Sequence, residues 1–419
     1  MSPVHPDLQA AFAALTRANV RWCLLRGRDA LSAPEGDVDL VVHPEDRRAA
    51  RSALESAGFV MLRSWAGGSQ NFYLQYARGS DSWIYLHVVT MLDFGPFHSL
   101  RLRPGVAGLL RRTVDDAGVP VPAPDDRFWV TLLHALLDKG RVATKHQGVL
   151  QELEPSATPD GELARALDEL GLPHGSAATL RSAVRSRDWG SLNECARDLQ
   201  AAWRKNDRAS RRRERSHRAS LTLTKLREIV TRRGVAAALL APDGAGKSTV
   251  IASLRDSLFF TVRTYYLGLE GGAFAGQGRS RIPGLGMARR LGHAWRTWLR
   301  SRIDLSRRRW VLFDRYPYEA LLPTDPPLRT LSRWRRALLA HALPAPDLVV
   351  VLDAPGAILH GRKQEHSVER LERDRAGYRS LADARRHWVL VDASNPIDDV
   401  RRDVTEAMWQ RYRARFVKD

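Results

Sequence analysis

Cysteine is almost missing from this chain, with Cys23 and Cys195 the two present in 419 residues. Two thiols cannot build a disulfide framework, and so low a content suits a reducing compartment. Long hydrophobic runs are missing too. None approaches the roughly 18 to 20 apolar residues that a bilayer-spanning helix needs, so no transmembrane anchor is expected. The opening Met1-Ser2-Pro3-Val4-His5-Pro6-Asp7 shows neither a positive segment nor an apolar one, so no secretory leader is visible and the expected location is the cytoplasm. No repeat of 20–50 residues is apparent, which argues against a solenoid or propeller. Lysine is scarce, with 7 against 59 arginines. So lopsided a choice can follow from codon bias, and the net charge of +19 alone therefore says little about partners.

What is present is the composition of a globular protein, 44% apolar and 27% charged. A chain of this length exceeds one ordinary core, so two or three domains are expected. The distribution of charge is more informative than its sum. Residues 1–202 carry 22 basic against 24 acidic side chains, whereas the remainder carries 44 against 23. The whole excess lies in the second half, where arginine clusters could receive phosphorylated substrates, nucleic acid or an anionic surface. The run 204–218 has no apolar face and reads as a basic linker or solvated helix. The expected organisation is an α+β domain over 1–120, a helical region over 121–203, a linker over 204–230 and an α/β domain over 231–419.

In the first domain, Asp7 to Ala18 and Asp46 to Ala57 carry helical spacing, the second stopping at Gly58. Val20 to Leu25, Asp37 to Val42, Phe72 to Tyr76 and Trp83 to Val89 read as strands. The pattern turns helical from Asp125, with Asp125 or Asp126 as the expected N-cap. After the linker, five strand candidates alternate with helical segments: Ala236–Ala241, Val262–Leu267, Trp310–Asp314, Leu348–Asp353 and Trp388–Asp392. Such alternation predicts βαβ units and a parallel sheet covered on both faces.

Between the first of these strands and the helix that follows lies Ala241-Pro242-Asp243-Gly244-Ala245-Gly246-Lys247-Ser248-Thr249. The general pattern is G-x-x-x-x-G-K-[ST]. Gly244 and Gly246 allow a tight turn that aims several N–H groups at one centre, and the positive end of the helix adds to it. Lys247 supplies a cation at the β- and γ-phosphates, and the Ser248 hydroxyl is a Mg²⁺ ligand. Ala241 stands where the pattern has its first glycine, which is tolerable at negative φ. The expected cofactors are ATP and Mg²⁺, with Asp243, Gly244, Ala245, Gly246, Lys247, Ser248 and Thr249 on the nucleotide.

This loop, with its x-D-G-x-G-K-[ST] form, resembles that of thymidylate kinase-like P-loop kinases. Three more features resemble the same family in order and spacing over about 235–415. These are the strand running into Asp314-Arg315-Tyr316, the strand ending Leu352-Asp353-Ala354-Pro355, and Glu369-Arg370-Leu371-Glu372 with Gly377-Tyr378-Arg379-Ser380-Leu381 after it. The resemblance implies that Asp314 helps hold Mg²⁺, that Arg315 clamps the acceptor phosphate, and that Arg362 and Arg370 sit on a closing lid, with Arg373 and Arg375 competing. It also implies that Asp392-Ala393-Ser394-Asn395 approaches adenine. Residues 268–309, where the family recognises its nucleobase, do not align with a thymine pocket. The implied activity is therefore a kinase acting on a nucleoside monophosphate or another small phosphorylated acceptor, the non-catalytic alternative being an ATP-gated binding or regulatory protein that holds nucleic acid or an anionic surface through its basic half. Within that region, Leu291, Trp295, Trp298 and Leu299 form a helical stripe expected to make core contacts, a membrane- or polyanion-facing helix being the alternative.

In the first domain, Asp37 and Asp39 project from one face of a strand at i, i+2. Two such acids can share Mg²⁺ and a triphosphate. With Leu24-Leu25-Arg26-Gly27-Arg28 upstream, the region resembles a minimal nucleotidyltransferase. Arg28 replaces the usual serine, and the later strand offers Tyr85 and His87 where a third carboxylate belongs; Asp81 and Asp93 flank it. A degenerate binding or regulatory domain and an active second transferase are both open readings.

Overall fold

The structure is a computed structural model that describes residues 4–26, 31–34, 36–62, 69–95, 98–102, 105–171, 175–206, 209–216, 219, 234–268, 285–323 and 330–417. The chain divides into two compact units, Met1–Thr224 and Lys225–Asp419.

The first unit is built on a mixed five-stranded sheet. Its elements are α1 (Pro6–Arg17), β1 (Trp22–Arg26), β2 (Asp37–Val42), α2 (Arg47–Ser56), β3 (Val60–Met61), β4 (Gln70–Ala77) and β5 (Ser82–Val89). The strand order is β1-β2-β5-β4-β3, with β2 and β5 parallel and the other pairs antiparallel. Side chains alternate across this sheet, as the period of a strand requires. Leu24, Val38, Leu40 and Val42 face a core shared with Leu8, Phe12 and Leu15 of α1 and Leu54 of α2. Cys23, Leu25, Val41 and Val89 face the other way, into a core filled by helices. Asp39 is on that second face, two residues from Val41.

Two short ribbons follow, β6 (Asp93–Phe94) with β7 (Leu100–Arg101), and, after α3 (Val106–Arg111), β8 (Thr113–Asp116) with β9 (Val119–Pro122). The second ribbon turns at Ala117 and Gly118, both at positive φ. Sequence periodicity did not indicate either ribbon, because each strand is too short to repeat. The helices are α4 (Pro124–Leu133), α5 (Thr144–Leu153), α6 (Glu162–Asp168), α7 (Ala177–Arg185) and α8 (Trp189–Asn206). Neither Asp125 nor Asp126 is the cap of α4. Pro124 takes the first helical position with Ala123 as N-cap, which suits proline's fixed φ and missing N–H. The two acids serve elsewhere: Asp126 is buried against the Arg112 guanidinium at 2.8 Å, and Asp125 accepts from Trp129 Nε1 at 3.2 Å. In the basic run, residues 209–216 are helical, Ser210 is buried, and Arg213 Nε donates to the Ser99 carbonyl at 2.9 Å.

The second unit is a doubly covered parallel sheet. Its elements are β10 (Ala236–Leu240), α9 (Lys247–Ser257), β11 (Val262–Tyr266), α10 (Leu285–Ser306), β12 (Trp310–Asp314), a 3-10 turn (Pro317–Leu321), α11 (Thr330–Ala340), β13 (Leu348–Asp353), α12 (Gly356–Arg362), α13 (Val368–Asp383), β14 (Trp388–Asp392) and α14 (Ile397–Phe416). The order is β11-β12-β10-β13-β14 and every pair is parallel. The chain reverses its winding at β10, so the carboxyl end of that strand opens a crevice. One face buries Ala236, Ala238, Val311, Phe313, Val349 and Val351 with Tyr316 and Tyr378. On β12 the register alternates, and Trp310 stacks at 4.9 Å on Phe260 and at 5.7 Å near Tyr412 of α14. Trp409 is fully buried against Tyr412. Deleting a buried indole leaves a cavity, so Trp409→Ala should destabilise this unit by about 3–5 kcal/mol. A denaturant titration followed by circular dichroism checks it through a lowered midpoint for one transition.

Candidate functional site

The crevice at the carboxyl end of the parallel sheet is a cavity of about 620 Å³, lined by residues 242–250, Asp314, Arg315, Arg362, Lys363, Ala393, Asn395, Ile397 and Val400. That is a ligand-sized volume. Gly246 is the N-cap of α9 with φ 77°, and Gly244 has φ 87°. A Cβ on Gly244 would lie 2.6 Å from the Leu359 carbonyl oxygen, so this turn has room for a hydrogen and nothing larger. Ala241 is buried and is not among the described non-glycine residues with positive φ, which is why a methyl fits where the pattern has glycine.

Arg315 follows β12 in the left-handed region, φ 64°. A bulky residue rarely adopts this conformation, and strain of this kind gathers at functional sites. The turn sends the guanidinium back over the loop. Its Nη2 donates to Asp243 Oδ1 at 2.8 Å and its Nη1 to Glu319 Oε1 at 2.9 Å. Glu319 also accepts from the Tyr378 hydroxyl at 3.1 Å. Arginine has five N–H donors, so this two-point grip orients the group and leaves donors for an anion. Burial raises the Glu319 pKa, with Arg315 and Lys247 opposing. Burial alone would raise the Asp243 pKa, but Arg315 outweighs it and the net shift is downward. Lys247 is lowered, first by desolvation and then by the positive Arg315 nearby. A cation held in such a place gains from an incoming phosphate.

Among the described residues, Asp314 Oδ1 is buried with no hydrogen-bond partner. Ser248 lies exposed in the first turn of α9 on the same cleft. A carboxylate and a loop hydroxyl lining one cleft fit the oxygen-donor preference of Mg²⁺. Bound there, the ion would neutralise charge on the transferring phosphates.

The lid region is arranged differently from the sequence expectation. Arg362 lines the cleft and donates to the Ala393 carbonyl at 2.8 Å. Arg370 does not line it. Ser367 caps α13, so Arg370 occupies the exposed first turn, its backbone N–H bonded to Ser367 Oγ. Arg375 instead holds both oxygens of Asp353 at 2.8 and 3.1 Å, a structural role, with Arg379 at 2.9 Å from the same carboxylate. Lys363 joins the cleft lining, and His366 Nε2 stands 3.3 Å from Asp243 Oδ2. Glu319, Lys363 and His366 were not singled out from sequence. The spacing Arg315 to Glu319, one helical turn, was the available signal for the first.

In the first unit, Asp37 borders a second cavity of about 440 Å³ with Arg26, Tyr85, His87, His134 and Lys139 among its walls, and Asp39 lies buried behind Arg26 and His87. Gly27 lies outside the described residues. His87 is the register partner of Asp39, and Tyr85 that of Asp37. Asp39 is fully engaged: Arg26 lies on Oδ2 at 2.9 Å and His87 Nδ1 on Oδ1 at 2.7 Å. Although burial opposes it, these partners lower the Asp39 pKa. Asp37, Asp39 and His87 place ligand atoms within 4.8 Å of one another, but a divalent ion would have to displace the Arg26 guanidinium. This donor set does not fit a two-metal transfer centre.

No known protein family matches the sequence, and no curated protein does. Among solved structures, a deoxyadenosine kinase from M. mycoides, with the products dCMP and a flexible dCDP bound, aligns at a TM-score of 0.31 and 14% identity. The alignment covers 41% of this chain and 97% of that one, a similarity too low to establish a shared fold or activity. The steric limit at Gly244 gives a direct check on the loop: Gly244→Ala should weaken ATP binding about tenfold or more, given ~1–3 kcal/mol of backbone strain plus the carbonyl clash. Equilibrium titration of ATP measures it.

Proposed function

We propose that residues 231–419 form an ATP- and Mg²⁺-dependent phosphotransferase that moves the γ-phosphoryl group to a small phosphorylated acceptor, a nucleoside monophosphate being the first candidate. The observation that carries this reading is the Arg315 grip. A guanidinium fixed by Asp243 and Glu319 beside a phosphate-binding loop is set to receive an anion, where positioning and charge neutralisation are most of the work. The loop N–H groups and Lys247 would cradle the triphosphate, Ser248 and Asp314 would hold Mg²⁺, and Arg315 would clamp the acceptor phosphate. Arg362 and Lys363 would close over the transferring group, and Ala393 with Asn395 would border the base. γ-Phosphate transfer should be found across a panel of nucleoside monophosphates and should fall by about 10²-fold or more in Lys247→Ala. ATP binding without transfer to any acceptor counts against the proposal.

A second reading concerns the first unit. Because Arg26 occupies Asp39, we infer that this cavity binds a ligand without nucleotidyl transfer. Nucleotidyl transfer by the full chain that Asp37→Asn with Asp39→Asn abolishes would instead establish an active second enzyme.

A further inference from the structure

Of the α10 stripe expected to make core contacts, Trp298 packs against the core and Leu291 is half-buried, but Trp295 and Leu299 are exposed. Trp295, Leu299 and Ile303 are 41%, 54% and 52% exposed, spaced i, i+4, i+8 along one line of the helix. On α11, Trp334 and Leu338, also i, i+4, are 74% and 62% exposed. These five are half of the exposed large apolar residues among the described ones. The two helices are neighbours, since Leu291 and Ala294 of α10 line one small apolar pocket with Leu339 of α11. Two tryptophans held in water on adjacent helices mark a surface with a partner.

The charge beside this surface identifies the partner. Arg289, Arg296 and Arg300 are all exposed and run along α10 at the same pitch as the apolar stripe. No acidic residue occurs in 285–303 or in 330–340. The one acid of α10, Asp304, is buried, accepting from Tyr265 and paired with Arg309 at 2.7 Å. A second copy of the chain would bring arginines against arginines, with no carboxylate to offset them. Nucleic acid would satisfy the arginines and the indoles, but the aliphatic Leu299, Ile303 and Leu338 offer a base or phosphate nothing. An anionic lipid surface uses all three features: aliphatic side chains enter the acyl boundary, indoles sit at headgroup level, and guanidiniums meet lipid phosphates. We propose that the α10–α11 face docks on anionic membranes as an interfacial surface that does not cross the bilayer. Among the described residues no helix is long and apolar enough to cross one.

The test is co-sedimentation of the full chain with vesicles of equal parts phosphatidylcholine and phosphatidylglycerol, against phosphatidylcholine alone. Two variants accompany it, Trp334→Ser with Leu338→Ser and Arg296→Glu with Arg300→Glu. All four positions are exposed and outside the cleft, so unchanged circular dichroism and ATP binding are expected of both. The wild type should partition to the anionic vesicles, less so at high salt, and each variant should partition about tenfold more weakly. Three results would overturn the proposal. One is no partitioning, or partitioning that neither variant changes. Another is a concentration-dependent dimer that Trp334→Ser with Leu338→Ser abolishes in the absence of lipid. The third is retention on single-stranded DNA that both variants abolish while vesicle binding is absent.

Discussion

The second unit turns on one chain of contacts, the ion pairs of Arg315 with Asp243 and Glu319 and the hydrogen bond that the Tyr378 hydroxyl donates to Glu319. It ties the glycine-rich loop at 241–249 to the end of β12 and to α13. Its members are substantially desolvated, and buried charges are tolerated where each is paired and further hydrogen-bonded. The pairing also explains the left-handed backbone at Arg315: an extended residue there would not return its side chain over the loop. Remove either carboxylate and an arginine is left half-buried with one partner.

Much of that was legible in the residues. Each strand of the parallel sheet falls within one residue of its expected bounds, because runs such as Leu348-Val349-Val350-Val351-Leu352 admit no other reading when helices flank them. The loop at 241–249 was legible because few strings meet its demands for glycine, lysine and hydroxyl at once. The contacts that fix Arg315 were less so. Asp243 and Arg315 are joined only by the pairing of β10 with β12, which brings Leu239 beside Asp314. Arg370 lies in the exposed first turn of α13 and outside the cleft lining, and the choice among the arginines of this helix was not legible, because an arginine-rich helix offers several equivalent candidates. The α10 stripe was legible only in part, Trp298 packing on the core while Trp295 and Leu299 do not, because helical spacing of apolar side chains shows that they share a face, not what covers it.

The first unit shows how a single side chain changes the chemistry open to a scaffold. Two carboxylates at i, i+2 on β2 look suited to divalent metal, and sequence spacing could go no further. In three dimensions Arg26 sets a positive charge against Asp39, and His87 is its register partner on β5. A cavity so arranged can hold a ligand, but a divalent ion at Asp39 would have to compete with the Arg26 guanidinium. The excess of positive charge also gains a meaning, with part of it inside the cleft at Lys247 and Arg315 and part on the exposed flank of α10.

The most direct measurement is calorimetric titration of ATP into the full chain, with and without Mg²⁺, for the wild type and Lys247→Ala. The account predicts one site per chain, tighter with Mg²⁺ and lost in the variant. An absence of binding, or binding that survives the loss of Lys247 undiminished, would contradict it.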